Sequence, residues 1–600
     1  MSMTDCVNVA AGKRAWQSSL SRYSIGSDAE RALNDAVGAD YAFHTEREDN
    51  PWWLLDLGES FLVERIVLDN RRNACQENAR TLVVEVSLDK HHWLTLHAGT
   101  LYWGPRMCLE LAGNIPFRYL RLSLRERQYF HLSRVEVWVD RANMVPIAGR
   151  IILMERTDGL GERLNAILNG LMLSRIFNLP FRFSWSDRFL GDPSHAIEKV
   201  EAFFADSFID TYFSTGPHPG RRWEVGGRNL DFPALRRGIE QAEVILAPRL
   251  GLHEILEPKR YVAEYFDFPR LFDELAFSES IATAIALARS IALPEDAVGF
   301  HLRSGDVFYG PYRKWVHYTY KGVTLPLAKA AIKEMVADGR QVYLFGQDEA
   351  AMAYLCTECG ATDITASMAD VLAPLGRAQR AMFDLVLMSR FRTILAGSSG
   401  FAKQASWIGG GALVSAFQLF SVERQLDIFS RDLAANAAHY HPLQAAFAYW
   451  YAYFLGRGRM DHEQDAHLLQ QAQAHDPDNE LYPLVRAASR FAARDFTGGE
   501  TVLAELFHHR QEQGRAVASV FTVFVARTAG VYNLTEFHVA YEQAAEMGLP
   551  FACCLYGHLC GHAGDVERKR HFMAKVDIEL PNLAPLRNYL MNNLRKDGVS

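Results

Sequence analysis

The hydrophobic period of this chain changes twice along its length, and no single-domain fold accommodates that. From residue 5 to about 140 the apolar residues come in short runs: WWLLDLG at 52–58, FLVERIVLDN at 61–70, TLVVEVSLD at 81–89, YLRLSL at 119–124 and RVEVWVD at 134–140. Turn residues separate them and no helical period lies between, the pattern of an antiparallel sandwich or barrel. From about 147, apolar strands such as GRIILME, AVGFHLR, GRQVYLFG and RTILAG end in Gly or Ser turns and alternate with helical stretches. That alternation implies parallel sheets with sites at the carboxyl ends of strands. From about 435 the strands vanish and small and aromatic residues recur at i, i+3 and i+4. The expected fold class is therefore multidomain: a β sandwich over 1–145, a two-lobed α/β domain over 146–432 with lobes of about 146–290 and 291–432, and an all-α region over 433–600.

Composition narrows the function classes. A chain of 600 residues, 49% hydrophobic and 22% charged, is neither disordered nor collagen-like nor a coiled coil. A net charge of -8 argues against a general grip on nucleic acid but leaves room for a local basic pocket. No apolar run reaches the ~18 residues of a membrane span. The start, MSMTDCVNVAAGKRAWQSS, lacks the apolar stretch of a signal peptide, and the eight cysteines are scattered as reduced thiols. The expectation is a cytoplasmic protein with no membrane span and no nucleic-acid partner.

Three strand-end turns in the α/β region carry the chemistry. RTDGLGERLNAILNG (156–170) places Gly159 and Gly161 between a strand and a helix, where backbone N–H groups and the helix N-terminus favour an anion; a tight turn without ligand fits the same residues. FHLRSGDVFYGPYRKW (300–315) runs a strand into a polar turn. His301 and Arg303 share one strand face, and Arg303 either forks onto a diphosphate or pairs with Asp306 to hold the turn. FDLVLMSRFRTILAGSSGFAKQASWIGG (383–410) carries Asp384 on a helix, then Ser398 and Ser399 opening another, either a second anion cradle or a simple N-cap. Three such features in order across one region favour a shared ligand.

These segments resemble the α1,2-, α1,6- and protein O-fucosyltransferase group: HLRSGD its HxRRxD motif, RTDGLGERLNAILNG its N-terminal glycine loop, and DLVLMSR…GSSGF its late Asp helix and Ser-Ser motif. The resemblance covers about 150–430 and implies a GT-B-like fold, GDP-fucose as donor, a glycan acceptor, inversion at the anomeric carbon and no required metal or other cofactor. It gives Gly159, Gly161, His301, Arg303, Asp384, Ser398 and Ser399 to donor binding, with Asp384 accepting from guanine N1–H and the exocyclic amine. Arg303, Asp306 and Asp158 are the catalytic candidates, with Glu155 a rival base. The second motif arginine is Ser304 here.

The N-terminal segments NVAAGKRAWQSS, HTEREDNPWWLLDLG, VERIVLDNRR, RYLRLSL and LSRVEVWV resemble the discoidin or F5/8 type C jelly roll, especially fucolectins. The resemblance implies a sugar site at His44 and Arg71, with the third position at Asn78 and Arg80 nearby, and a structural calcium at Asn34, Asp35 and Glu136. The segment AQAHDPDNELYPLVRAASRFAARDFTGGETVLAEL resembles a tetratricopeptide unit, which implies protein partners or self-association through a helical array.

Other features read as structural: the Cys356–Cys359 pair, the cluster Cys553, Cys554, His558, Cys560 and His562, the aromatic run at 448–454, and Trp52 with Trp53 as sandwich core. Arg313, Lys314 and His317 are expected on the wall of the cleft, and the stretch with Arg221 and Arg222 reads as a solvated loop, with contact to an acceptor as the alternative. The leading function is an inverting glycosyltransferase, a GDP-fucose-dependent fucosyltransferase with a carbohydrate-binding domain. The alternatives are the same fold using another nucleotide sugar such as GDP-mannose, and a non-catalytic lectin-like scaffold.

Overall fold

In the computed structural model the described residues are 5–24, 28–34, 40–144, 149–187, 197–227, 229–257, 266–528, 530–576, 583 and 586. They fall into two compact units, one up to Ile285 and one from Ala286 onward, a division inside the helix Glu279–Ser290.

The first unit opens with a β sandwich. Its two long strands, Trp52–Asp69 and Arg106–Leu124, pair antiparallel, with register shifts between Asp56 and Phe61 and between Val63 and Arg65. The shifts fall where the sequence reads as a break: Gly58 sits at φ +85°, a left-handed conformation that suits glycine. What reads as two strands is therefore one bent ribbon. Its first half pairs with Arg14–Gln17 and its second with Arg134–Asp140. Alternation sorts the side chains: Trp53, Leu55 and Leu57 are fully buried, whereas Trp52 is half-buried and not the core residue expected. Trp53 stacks on Phe43 and its indole N–H donates to the Ala29 carbonyl at 2.9 Å.

A four-stranded parallel sheet follows, ordered Phe181–Ser184, Ile151–Glu155, Val244–Leu246, Arg222–Glu224. The helix Leu160–Phe177 leads from the second of these strands to the first, and most of its residues are buried. The sandwich docks on this layer by directional bonds: the Asn178 amide exchanges hydrogen bonds with the Ser60 backbone at 3.0 and 3.3 Å, and Arg270 donates to His92 at 3.0 Å.

The second unit contains a five-stranded parallel sheet, ordered Thr362–Asp363, Val342–Gly346, Val298–Leu302, Thr393–Ala396, Ala412–Ser415. In chain order this is 3-2-1-4-5, a doubly wound arrangement. Helices Leu325–Ala337 and Glu349–Cys359 pack together, as do Arg377–Ser389 and Gly400–Gly409. Right-handed crossovers put the two pairs on opposite faces of the sheet. The winding direction reverses between Val298–Leu302 and Thr393–Ala396, and in such sheets ligands characteristically bind at the strand carboxyl ends of this switch point.

Helices Pro442–Gly456, His462–His475, Leu481–Ala492, Phe496–Glu512, Ala518–Val525, His538–Glu546, Pro550–His562 and Val566–Met573 complete the unit; the first four pack in succession, as do the last three, while Ala518–Val525 packs on Pro550–His562 and Leu481–Ala492. Val307 and Phe308 from the α/β part belong to the same buried cluster as Phe447, Trp450 and Tyr482, so the helical region and the sheet layer share a core. Phe447, Ala448, Trp450, Tyr451, Ala452 and Tyr453 of the aromatic run are buried, and Cys553, Cys554 and Cys560 are buried free thiols. Among the described residues no helix is long and apolar enough to cross a membrane.

Candidate functional site

The reversal point of the second sheet gathers most of the residues singled out in the sequence. His301 is the penultimate residue of the central strand and is in register with Ala396 of the neighbouring strand. Its ring lies 5.7 Å from that of Phe401, in the first turn of helix Gly400–Gly409, so the two diverging loops touch. Burial, with the Arg303 charge adding to it, pushes the His301 imidazole down to about 3, and its Nδ1 is enclosed without a hydrogen-bond partner. His301 is therefore a neutral ring that offers a hydrogen bond or a surface.

Arg303 is a cation directly beyond the end of the central strand. Its Nε and Nη2 donate to the two carboxylate oxygens of Asp306 at 3.1 and 2.5 Å, with the Arg303 side chain 22% exposed and that of Asp306 6%. This bidentate geometry fixes the plane of the guanidinium. It also corrects the expectation of Asp306 as a catalytic acid or base, because both oxygens are committed to orienting Arg303. Ser304, standing where the motif has its second arginine, is buried, and its carbonyl accepts from Val307 and Phe308 at 2.9 and 2.8 Å.

Ser399 caps helix Gly400–Gly409, its hydroxyl accepting from the Ala402 N–H at 3.4 Å. The Ser398 N–H donates to the Tyr320 carbonyl at 2.7 Å, and the Ser398 residue is exposed. The pair is thus one cap and one exposed hydroxyl, and the anion-attracting feature is the helix N-terminus itself. A Cβ on Gly397 would lie 2.6 Å from the Lys321 carbonyl, so the strand end and the 320–322 loop can approach only through a glycine. Asp384 sits on helix Arg377–Ser389 with Arg380 Nε 3.6 Å away. Burial pushes its carboxyl up to about 6 against the pull of Arg380, and nearby Asp363 raises it further. Among the described residues no hydrogen bond links Asp384 to Arg303 or Ser399.

Arg313 and Lys314 turn away from the crevice. Arg313 pairs with Asp476 at 2.8 Å and Lys314 with Glu480 at 2.6 Å, both acids lying in the helical region, so the expected cleft-wall cations are anchors.

The glycine loop lies in the first unit. Gly159 N-caps helix Leu160–Phe177 at φ −62°, which any residue adopts, and Gly161 is buried in the first turn. Asp158 accepts from Arg156 Nε and Nη2 at 2.9 and 2.7 Å. Burial alone would raise its carboxyl, but the Arg156 hydrogen bonds hold it below the usual carboxylate range. Asp158 is therefore held ionised by Arg156. Glu155, the rival base, pairs with Arg222 in a largely exposed ion pair.

A second site lies at one end of the sandwich. His44 is buried among the rings of Tyr23, Tyr41, Tyr129 and His131, with centroids 5.1–5.3 Å apart. Its Nδ1 lies 3.0 Å from the Ser21 hydroxyl and 2.9 Å from the Thr45 carbonyl. The Arg71 guanidinium stacks 4.8 Å over Tyr41 and is held by the Asn73 side chain. Asn78 meets His131 Nε2 at 3.3 Å. Burial, then the neighbouring His44 and Arg71, push His131 down to about 3, so a neutral imidazole lies beside the Arg71 cation, with Arg22 over the Tyr23 ring. His131 is the residue that the sequence did not flag. Arg80 does not join the group: its guanidinium pairs with Glu126 at 2.8 Å. Of the residues that the resemblance implies for calcium, two are described. The Glu136 carboxylate is neutralised by Arg134 and, at 3.7 Å, Arg106, Asn34 donates to the Glu30 carbonyl, and Asp35 lies outside the described residues.

A family model described as a NedA-like, galactose-binding F5/8 type C domain matches residues 34–122. The N-terminal region is 26% identical over 149 residues to a pentraxin fusion protein of Xenopus laevis, covering 22% of this chain and 34% of that protein. The chain thus spans about a third of that relative. It is 25% identical over 149 residues to a fucolectin of Anguilla anguilla, covering 22% of this chain and 92% of the fucolectin. Among solved structures, the lectin domain of lectinolysin complexed with Lewis B antigen is 27% identical, covering 22% of this chain and 97% of that one, with a TM-score of 0.21. The N-terminal sandwich is an F5/8 type C domain of the discoidin, fucolectin-like kind.

Proposed function

We propose that this protein is a nucleotide-sugar-dependent glycosyltransferase, with GDP-fucose the donor that the motif resemblance favours, and that its N-terminal F5/8 type C domain binds glycan. The observation that carries the transferase reading is the convergence at the reversal point of the second sheet: Arg303 held flat by Asp306, neutral His301 against Phe401, and the N-terminus of helix Gly400–Gly409. A nucleoside diphosphate offers what such a crevice recognises, a doubly anionic group for a forked cation and helix amides. In an inverting transfer an acceptor hydroxyl oxygen attacks the anomeric carbon, the bond from that carbon to the diphosphate breaks, and the hydroxyl proton passes to a base. Arg303 would neutralise the charge gathering on the departing diphosphate, and Asp384 would receive the N–H edge of guanine.

The glycan reading of the sandwich rests on His44, Arg71 and the tyrosines around them. Flat aromatic faces suit the apolar side of a sugar ring, and a cation and imidazoles suit its hydroxyls. The fucolectin similarity favours fucose.

Thermal unfolding of the full chain with GDP, GDP-fucose, GDP-mannose and UDP tests the transferase reading. Ligands of the native state raise the midpoint. GDP and GDP-fucose are expected to raise it and UDP is not, with the response gone in Arg303→Ala. A chain that binds L-fucose on a glycan array but responds to none of the nucleotides is a lectin scaffold and not a transferase.

A further inference from the structure

We infer that Asp476 and Glu480, in the helical region, are positioning residues for the Arg303 crevice, so that the helical region is a built-in wall of the site and not only a platform for partners. This rests on the reading of that crevice as a diphosphate site. The segment 303–322 leaves the central strand at Arg303, runs through short helical turns, and returns to the crevice, where the Tyr320 carbonyl receives the Ser398 N–H at 2.7 Å. A Cβ on Gly322 would come within 2.7 Å of the Arg303 carbonyl, so the two ends of the segment are in contact. The position of the segment therefore sets both sides of the crevice.

Among the described residues, several of its side-chain anchors lie in the helical region, while Tyr309 bonds Asp348 in the α/β part. Arg313 pairs with Asp476, whose side chain is 3% exposed, and Lys314 with Glu480, whose side chain is fully buried. Glu480 is also held by Arg510 at 2.7 Å and Ser519 at 2.7 Å, so it cannot swing to follow a displaced lysine. The Asn533 side chain accepts from the Val316 N–H at 2.7 Å and donates to the Lys314 carbonyl at 3.0 Å. The Trp450 indole donates to the Thr319 hydroxyl at 3.0 Å, and the Phe308 ring packs edge-on against Phe447 at 4.6 Å. Short helical turns have few backbone bonds of their own, and buried charge pairs supply direction that apolar packing does not.

The test is hydrogen exchange and GDP titration on the full chain carrying Asp476→Asn with Glu480→Gln. Amides of 305–322 are expected to exchange at least about tenfold faster, and GDP affinity to fall at least about tenfold, with the peptides of the sheet core unchanged. The charge-swapped pair Arg313→Asp with Asp476→Arg is expected to restore both readouts relative to either single change. Should the acid-side variants fail to fold, Arg313→Met with Lys314→Met cuts the same contacts from the loop side. Unchanged exchange in 305–322, or faster exchange with unaltered GDP affinity, overturns the inference. A wild-type chain that binds no GDP overturns instead the diphosphate reading, and the exchange measurement still decides whether the helical region holds the segment.

Discussion

Asp384 and the residues around His44 show what single positions contribute. Burial sets the Asp384 carboxyl near 6, above the value of an unfolded chain, so ionising it costs the fold. Its favourable contribution is complete below about pH 4 and is lost as pH rises through about 6. Asp384→Asn is therefore expected to stabilise the protein by about 1–2 kcal/mol at pH 7.5 and to leave it unchanged at pH 4, measured as unfolding midpoints at the two pH values. The same change is expected to weaken GDP binding, and GDP affinity of the native chain is expected to fall as pH drops through about 6, where the carboxylate that accepts from guanine becomes protonated. In the sandwich, Arg71→Ala is expected to abolish fucose binding on titration, whereas Arg80→Ala, which breaks a largely exposed pair with Glu126, changes it by less than about threefold. His44 and Arg71 were legible because the NPWW…DLG signature flanks them. His131 was not, because nothing in its local sequence distinguishes it, and only folding brings residues 44, 78 and 131 together.

The elements were easier to place than their ends. Alternation along 52–57 and the strand–helix rhythm after 147 gave the right kinds of element because burial on one face or on both leaves a periodic trace. The single ribbon Trp52–Asp69 read as two strands because its bend at Gly58 looks like a turn. The strand ends around the crevice were also legible, but the roles of their polar residues were not: a serine that caps a helix and a serine that binds phosphate have the same local sequence. Capping by Ser399 predicts that Ser399→Ala costs about 1 kcal/mol of stability in denaturant unfolding. Gly397→Ala would push a methyl group against the Lys321 carbonyl, and is expected to reduce GDP affinity more than Ser398→Ala does, since it displaces backbone on both sides of the crevice.

Which regions share a core was the least legible property, since it depends on surfaces that meet only after each element has formed. The α/β region reads as one two-lobed domain, yet its first sheet belongs to a unit with the sandwich and its second to a unit with the helices. The signal was present in VFYGPYRKW, whose apolar and basic residues suit the cluster around Phe447 and the acids Asp476 and Glu480, but those partners lie more than a hundred residues away. A shared core predicts that Phe300→Ala in the sheet and Phe447→Ala in the helices lower the same calorimetric transition, each by about 3–5 kcal/mol. The whole account turns on Arg303 receiving a diphosphate, and the most direct test is isothermal titration of the full chain with GDP and with guanosine. The account predicts that GDP binds at least about a hundredfold more tightly than guanosine, and that Arg303→Ala reduces GDP to the guanosine level. Equal affinity for the two ligands, or a GDP affinity untouched by Arg303→Ala, would contradict it.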